Sequence, residues 1–286
     1  MEKKILITGG KGFIGGYLKK YLIEHGYQVI APSSRECNVL EKKWFQEYAD
    51  SVYHVIHLAG KTFVPQSWKE PEDFFDVNLM GTLNVIQFCR EYNIAITYIS
   101  AYIYGQPEKI PISESEKVNP NNPYAKSKYM AEELCEFYSK HYNMDISVLR
   151  LFNVFGPNQG KHFLIPFIIE QALSESNKIE VQDLAPKRDY IYIEDVCHAI
   201  ALSCMYTKGY QVYNVGSGKS YAVYEVIDMV QNLVGSKKQV MSKNNIRKNE
   251  MSNVVADITN IRKKWGWEPI TTMEEGLFRC LQGEKK

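Results

Sequence analysis

Near the start of the chain an apolar run, Ile5-Leu6-Ile7, breaks into Thr8-Gly9-Gly10-Lys11-Gly12-Phe13-Ile14-Gly15, and no other stretch narrows the possible folds as much. A buried strand passes through a glycine turn into a helix starting at about Gly12, with Phe13, Ile14, Leu18, Tyr21 and Leu22 on its apolar face. The turn demands backbone angles that side chains resist, and a bound pyrophosphate must approach bare main chain. The helix N-terminus adds free N–H groups and a positive dipole end. The spacing predicts a dinucleotide-binding turn, with Gly9, Lys11, Gly12, Phe13 and Ile14 against the cofactor.

The second strand, 28–31, should end at the adenosine ribose, where dinucleotide folds usually place an acid. Here the chain reads Pro32-Ser33-Ser34-Arg35, without a carboxylate. Arg35 there would pair with a 2′-phosphate, with Ser34 as a further donor and Lys11 as a second positive charge. The expectation is NADP(H) in preference to NAD(H); the plain alternative is a solvated loop arginine. The next strand, 52–57, ends in Leu58-Ala59-Gly60, whose small residues allow close approach to the middle of the cofactor. His57 at that strand end reads as a packed or backbone-bonded histidine rather than a catalytic one.

Strands and helices go on alternating. A long helix is expected over 71–92, its apolar periodicity interrupted by Asn78 and Asn84. A strand over 94–100, a Pro- and Asn-rich loop over 107–123, a helix over 124–141 behind Asn122-Pro123 and a strand over 146–151 follow. This is the rhythm of an α/β, Rossmann-type doubly wound parallel sheet. It assigns 1–155, with about 188–216, to a dinucleotide-binding domain. The remainder, mainly 156–286, forms a smaller interleaved substrate domain with helices at 165–174 and 223–234, strands at 179–181, 189–193 and 212–215, a helix to Met205 capped by Glu194-Asp195, and a last helix from Met273. A chain of 286 residues is long enough for that core.

Bulk properties exclude several other classes. A formal net charge of +1 gives no electrostatic case for nucleic acid or an anionic membrane surface. The six cysteines form no Cys-x-x-Cys pair, which argues against a disulfide framework or a metal site and fits a reducing cytoplasm. No apolar run reaches the ~20 residues of a membrane span, and strand one follows Met1 too closely for a signal peptide.

Three residues carry the candidate chemistry. Tyr124 and Lys128, four apart on one predicted helix, share a face. A free phenol, with a pKa of about 10, carries protons poorly at neutral pH; a neighbouring ammonium, helped by a cationic nicotinamide, would lower that value. Ser100, at the C-terminal end of a central strand, could hydrogen-bond the same substrate oxygen. The plain alternative is a surface Tyr–Lys pair.

The combined motifs resemble the extended short-chain dehydrogenases/reductases: the nucleotide-sugar epimerases, dehydratases and reductases. The resemblance covers nearly the whole chain and rests on Thr8-Gly9-x-x-Gly12-x-x-Gly15, His57-Leu58-Ala59-Gly60, Asn78-x-x-Gly81-Thr82, Ser100 before Tyr104-Gly105, and Tyr124-x-x-x-Lys128. It continues through Asn153-x-x-Gly156-Pro157, Arg188-Asp189-Tyr190 and Trp265-Gly266-Trp267-x-Pro269. It implies Ser100, Tyr124 and Lys128 as the catalytic set, with Tyr124 and Lys128 also on the cofactor. It further implies Asn153, Arg188, Arg247 and Glu250 on the nucleotide diphosphate and ribose, and Phe163, Leu164 and Gln182 beside the base. Gln182 departs from the pattern, because an aromatic commonly stacks there.

Other departures bear on the reaction. Ala101-Tyr102 replaces the Asp-Glu of the dehydratases, and Tyr102 replaces the cysteine of fucose-synthase-like epimerising reductases. The stretch from Ser34 to Glu41 looks like the second-strand exit of NADPH-dependent reductases, with Asn38 near the adenine. The resemblance therefore implies an NADPH-dependent 4-ketoreductase of a nucleoside-diphosphate 4-keto-6-deoxysugar, acting as a homodimer that pairs helices 71–92 and 124–141. An NAD-dependent UDP-hexose-type 4-epimerase or dehydrogenase, and a dinucleotide-sensing protein without catalysis, stay open.

Overall fold

In the computed structural model, which describes residues 4–245 and 251–284, strand β1 (Lys4–Thr8) shows why the fold is layered. Successive side chains point to opposite faces of a strand, and both faces of β1 are buried. Ile5 and Ile7 enter one core with Leu18, Leu22, Val196 and Ile200; Leu6 enters a second with Val55, Val85, Ile86 and Ala131. A strand buried on both faces belongs to a parallel sheet covered by helices.

The chain then runs α1 (Phe13–Glu24), β2 (Val29–Ile30), β3 (Val52–His57), α2 (Val64–Ser67), α3 (Pro71–Phe75), α4 (Gly81–Glu91), β4 (Ala95–Ala101), α5 (Pro123–Tyr142) and β5 (Ile146–Leu151). It continues β6 (Asn153–Phe155), α6 (Leu164–Leu173), β7 (Lys178–Val181), β8 (Lys187–Tyr192), α7 (Ile193–Tyr206) and β9 (Tyr210–Val215). β10 (Ser220–Ala222), α8 (Val223–Val234), β11 (Gln239–Ser242), α9 (Thr259–Trp265) and α10 (Met273–Glu284) complete it. The central six-stranded sheet has the order β2-β1-β3-β4-β5-β9, parallel throughout. The order reverses at β1, flanked by β2 and β3, which is where a Rossmann-like fold opens its crevice. Two small sheets, β10-β8-β6 and β11-β7, stand outside it.

The long helix expected over 71–92 is divided. A π-helical turn, Asp76–Met80, joins α3 to α4 and turns fully buried Asn78 inward. Its Oδ1 accepts from the Lys61 N–H at 2.8 Å, and its Nδ2 donates to the Ser127 hydroxyl at 2.9 Å. Such extra-residue turns accumulate at functional sites. α5 begins behind Asn122 as expected, and Asn122 caps it, its Oδ1 accepting from the Ala125 N–H at 2.8 Å. Glu194-Asp195 does not cap α7: both lie in its first turn, and the Asp195 carboxylate accepts the main-chain N–H groups of Ile270 and Thr271, each at 3.1 Å. β6, β10, β11 and α9 are too short and too irregular in pattern to be legible in advance. Among the described residues no helix is long and apolar enough to cross a membrane, and no group of three or more His, Cys, Asp or Glu could hold a metal.

Candidate active site

The C-terminal ends of β1, β3, β4 and β5 open into one cavity of about 1520 Å³. At one end lies the glycine turn. Gly9 has φ +72°, and a Cβ there would stand 2.7 Å from the Ala59 main-chain nitrogen, so only glycine joins β1 to α1 this close to the β3 exit. Gly12 is the N-cap of α1, whose first turn holds no acid to occupy its N–H groups. Gly9, Gly12, Phe13 and Ile14 line the cavity, as do Leu58 and Gly60; Ala59 stands behind Gly9 with its N–H on the Thr8 hydroxyl at 3.3 Å. Bare main chain, a free helix N-terminus and an open cavity fit a pyrophosphate. His57 is packed as expected, although its ring nitrogens meet the side-chain hydroxyls of Thr8 (2.6 Å) and Thr82 (3.0 Å) rather than backbone.

Ser100, Tyr124 and Lys128 converge on the same cavity. Ser100, 4% exposed near the end of β4, has a buried hydroxyl with no hydrogen-bond partner among the described residues. A buried polar atom left unpaired is costly, so this orphan marks a place for a ligand oxygen. Tyr124, half-buried at the start of α5, packs edge-on to Phe74. The Lys128 ammonium donates to the Ile99 carbonyl at 2.6 Å and lies 4.3 Å from the centre of the Tyr98 ring. Burial pushes the Tyr124 phenol well up, with neighbouring Tyr102 adding to the shift, and pulls Lys128 down to about 8. Among the protein's own groups desolvation decides the direction, since the ammonium is engaged by a carbonyl; the lowered phenol is expected only with a cationic nicotinamide beside it.

At the exit of β2 the residues that the sequence groups lie outside the lining of the cavity. Lys11, Ser34 and Arg35 are exposed and outside the cavity lining, and the Asn38 side chain is used locally, accepting from the Leu40 N–H at 3.1 Å. Glu36, which sequence reasoning passed over, brings a carboxylate back to this exit. It accepts from the Ser33 N–H at 2.7 Å, which with the Ser33 side chain, and to a smaller degree Lys11, lowers its pKa.

On the far side, Asn153, Phe163, Leu164, Gln182 and Arg188 all line the cavity. The Asn153 amide is oriented by two bonds, donating to the Asp189 carbonyl (3.1 Å) and accepting from the Tyr102 hydroxyl (3.2 Å). Arg188 donates to the carbonyls of Lys187 and Met251, each at 2.8 Å. Arg247 and Glu250 lie outside the described residues. Tyr190 was quoted only within a motif, yet it lines this half, 6% exposed, with an unpartnered hydroxyl. Nothing in a pattern of spacings distinguishes such a tyrosine from a core one.

A family model for the NAD dependent epimerase/dehydratase family matches residues 5–216. The GDP-6-deoxy-D-mannose reductase of Pseudomonas aeruginosa is 29% identical over an alignment of 303 residues covering 98% of this chain and 97% of that protein. Among solved structures, RMD from Pseudomonas aeruginosa complexed with NADPH has a TM-score of 0.88 and 28% identity, with 98% of both chains covered. The UDP-glucose 4-epimerase of Thermotoga maritima with UDP-glucose has a TM-score of 0.92 and 27% identity, covering 99% of this chain and 98% of that one.

Proposed function

The chain belongs to the NAD dependent epimerase/dehydratase family, and from that premise we propose that it is an NADPH-dependent reductase of the 4-keto group of a nucleoside-diphosphate-linked 4-keto-6-deoxysugar. One observation carries this reading: an unpartnered Ser100 hydroxyl, the Tyr124 phenol and the Lys128 ammonium meet in the cavity that the glycine turn opens. The relative named GDP-6-deoxy-D-mannose reductase supports the substrate class, and the positive charges of Lys11 in the glycine turn and Arg35 beyond β2 support the phosphorylated cofactor.

A nicotinamide dinucleotide supplies hydride exchange with a carbonyl carbon when bound. The main chain at Gly9, Gly12, Phe13 and Ile14 would hold its pyrophosphate, with Leu58 and Gly60 along its middle. Ser100 Oγ donates a hydrogen bond to the keto oxygen and polarises it. Tyr124, kept protonated by burial, gives its proton to that oxygen as negative charge develops, and the Lys128 ammonium stabilises the phenolate until solvent reprotonates it. Asn153 and Arg188, with Arg247 and Glu250, would meet the diphosphate and ribose; Phe163, Leu164 and Gln182 would border the base.

A second reading, an NAD-dependent UDP-hexose 4-epimerase or dehydrogenase with the same three residues, is favoured by Glu36, a carboxylate at the β2 exit suited to ribose hydroxyls. Purified protein incubated with NADPH and a panel of 4-keto sugar nucleotides separates the two. Loss of NADPH absorbance supports the reductase. Interconversion of UDP-hexoses without added cofactor, with NAD released on denaturation, supports the epimerase. No consumption of NADPH with any 4-keto sugar overturns the first reading.

A further inference from the structure

Tyr124, Lys128 and Glu132 lie at successive four-residue steps along α5, so an acid continues the stripe that carries the phenol and the ammonium. Glu132 is 1% exposed, and Arg150, facing it from β5, is 5% exposed. Arg150 Nε donates to both Glu132 oxygens (3.2 and 3.1 Å) and Nη2 to one of them at 2.6 Å. The remaining Nη1 donates to the Tyr104 hydroxyl at 3.0 Å and the Glu114 carbonyl at 3.4 Å. Tyr104 in turn donates to Asn214 Oδ1 at 2.6 Å, and the Asn214 N–H donates to the Glu114 carboxylate at 2.9 Å. The pair is thus locked between the catalytic helix and the segment following β4.

A buried ion pair is a poor source of stability, because well-packed apolar side chains do as well or better. Its placement one helical turn beyond the ammonium gives it another use. We infer that Glu132, held by Arg150, is a positioning residue for Lys128: its carboxylate keeps the buried ammonium charged and directed at the Ile99 carbonyl, a role that rests on the part given to Lys128 in the proposed chemistry.

Burial drives Lys128 towards its neutral form, and Glu132 is the leading influence opposing it. Other groups facing the ammonium supply no negative charge. His57 on β3 stays neutral, its pKa pushed to about 3 by burial and by Lys128 itself. Tyr98 on β4, and Tyr124 and Cys135 on α5, are all pushed up by burial. Around Glu132, Tyr129 on α5 and Tyr210 on β9 are likewise raised phenols, while Arg150 supplies the countercharge. Glu114, whose carboxyl burial also raises, faces Arg150 from the far side. Removing the Glu132 charge therefore weakens proton binding at Lys128.

The test is an NMR titration of protein labelled with carbon-13 at lysine Cε, the Lys128 signal being assigned by its loss in Lys128→Met. The wild-type midpoint is expected near 8. Glu132→Gln removes the carboxylate charge at nearly constant shape; in the folded variant, checked by its thermal melt, the midpoint should fall by about one pH unit, a roughly tenfold loss of proton affinity. Arg150→Gln removes the countercharge instead and should move the midpoint upward. An unmoved midpoint in folded Glu132→Gln overturns the inference; where that variant does not fold, an unmoved or lowered midpoint in Arg150→Gln does. The titration needs no substrate, so absent reductase activity bears on the reading above and an unmoved midpoint on this one.

Discussion

At the scale of single residues, the orphaned Ser100 hydroxyl and the raised Tyr124 phenol make opposite demands on folding and chemistry. Ser100→Ala removes a buried group that has no partner among the described residues, so it should leave the denaturation midpoint unchanged or slightly higher. The same change should lower turnover about tenfold to a hundredfold through loss of one oxygen-directed donor. Tyr124→Phe deletes the proposed proton donor and should cut turnover by about 10² to 10⁴ with little effect on stability. Matched urea melts and steady-state rates read both effects; a Ser100→Ala protein that loses stability and keeps its activity would place the serine in the core instead of the site.

At the scale of elements, the β1–α1 junction is where local geometry and ligand chemistry coincide. Gly9→Ala forces a Cβ to within 2.7 Å of the Ala59 nitrogen at a positive φ, so either the turn or the β3 exit must shift. The variant should lose about 1–3 kcal/mol of stability, and the displaced turn should weaken dinucleotide binding, measurable by calorimetric titration with NADPH. Helices α4 and α5 leave Met80 (46%), Phe137 (49%) and Tyr142 (46%) exposed on or beside them. We propose that these helices pair across a homodimer, and an elution volume of a dimer at micromolar concentration, lost on Phe137→Glu, is the expected result.

At the scale of the whole molecule, two buried histidines connect the central sheet to pH. His54 and His57 are each 1% exposed, and burial holds both near a pKa of about 3. In the unfolded chain a histidine titrates near 6.5. Between those values the unfolded state binds more protons than the native one, so stability is fully present above pH 6.5 and falls as pH drops towards 3. Each histidine contributes about 1.4 kcal/mol per pH unit to that loss. Urea denaturation at pH 5 and at pH 7 should show the difference, and a double His54→Gln/His57→Gln variant should flatten it.

Much of this was legible from residue order alone. The glycine turn, the alternation through β5, the helix start behind Asn122-Pro123 and the Tyr124–Lys128 spacing are local patterns, and local patterns follow from helix and strand periodicity. Other features depend on what each side chain meets from a distant part of the chain. The break at Asn78, the return of Glu36 to Ser33, the raised phenol of Tyr124 and the grip of Arg150 on Glu132 are of that kind. The amino-acid order by itself determined the α/β sheet and the stripe of candidate residues. Only the tertiary structure decided which of them share a cavity and in which direction their protons are held, because desolvation and long-range hydrogen bonds exist only once separated segments pack together.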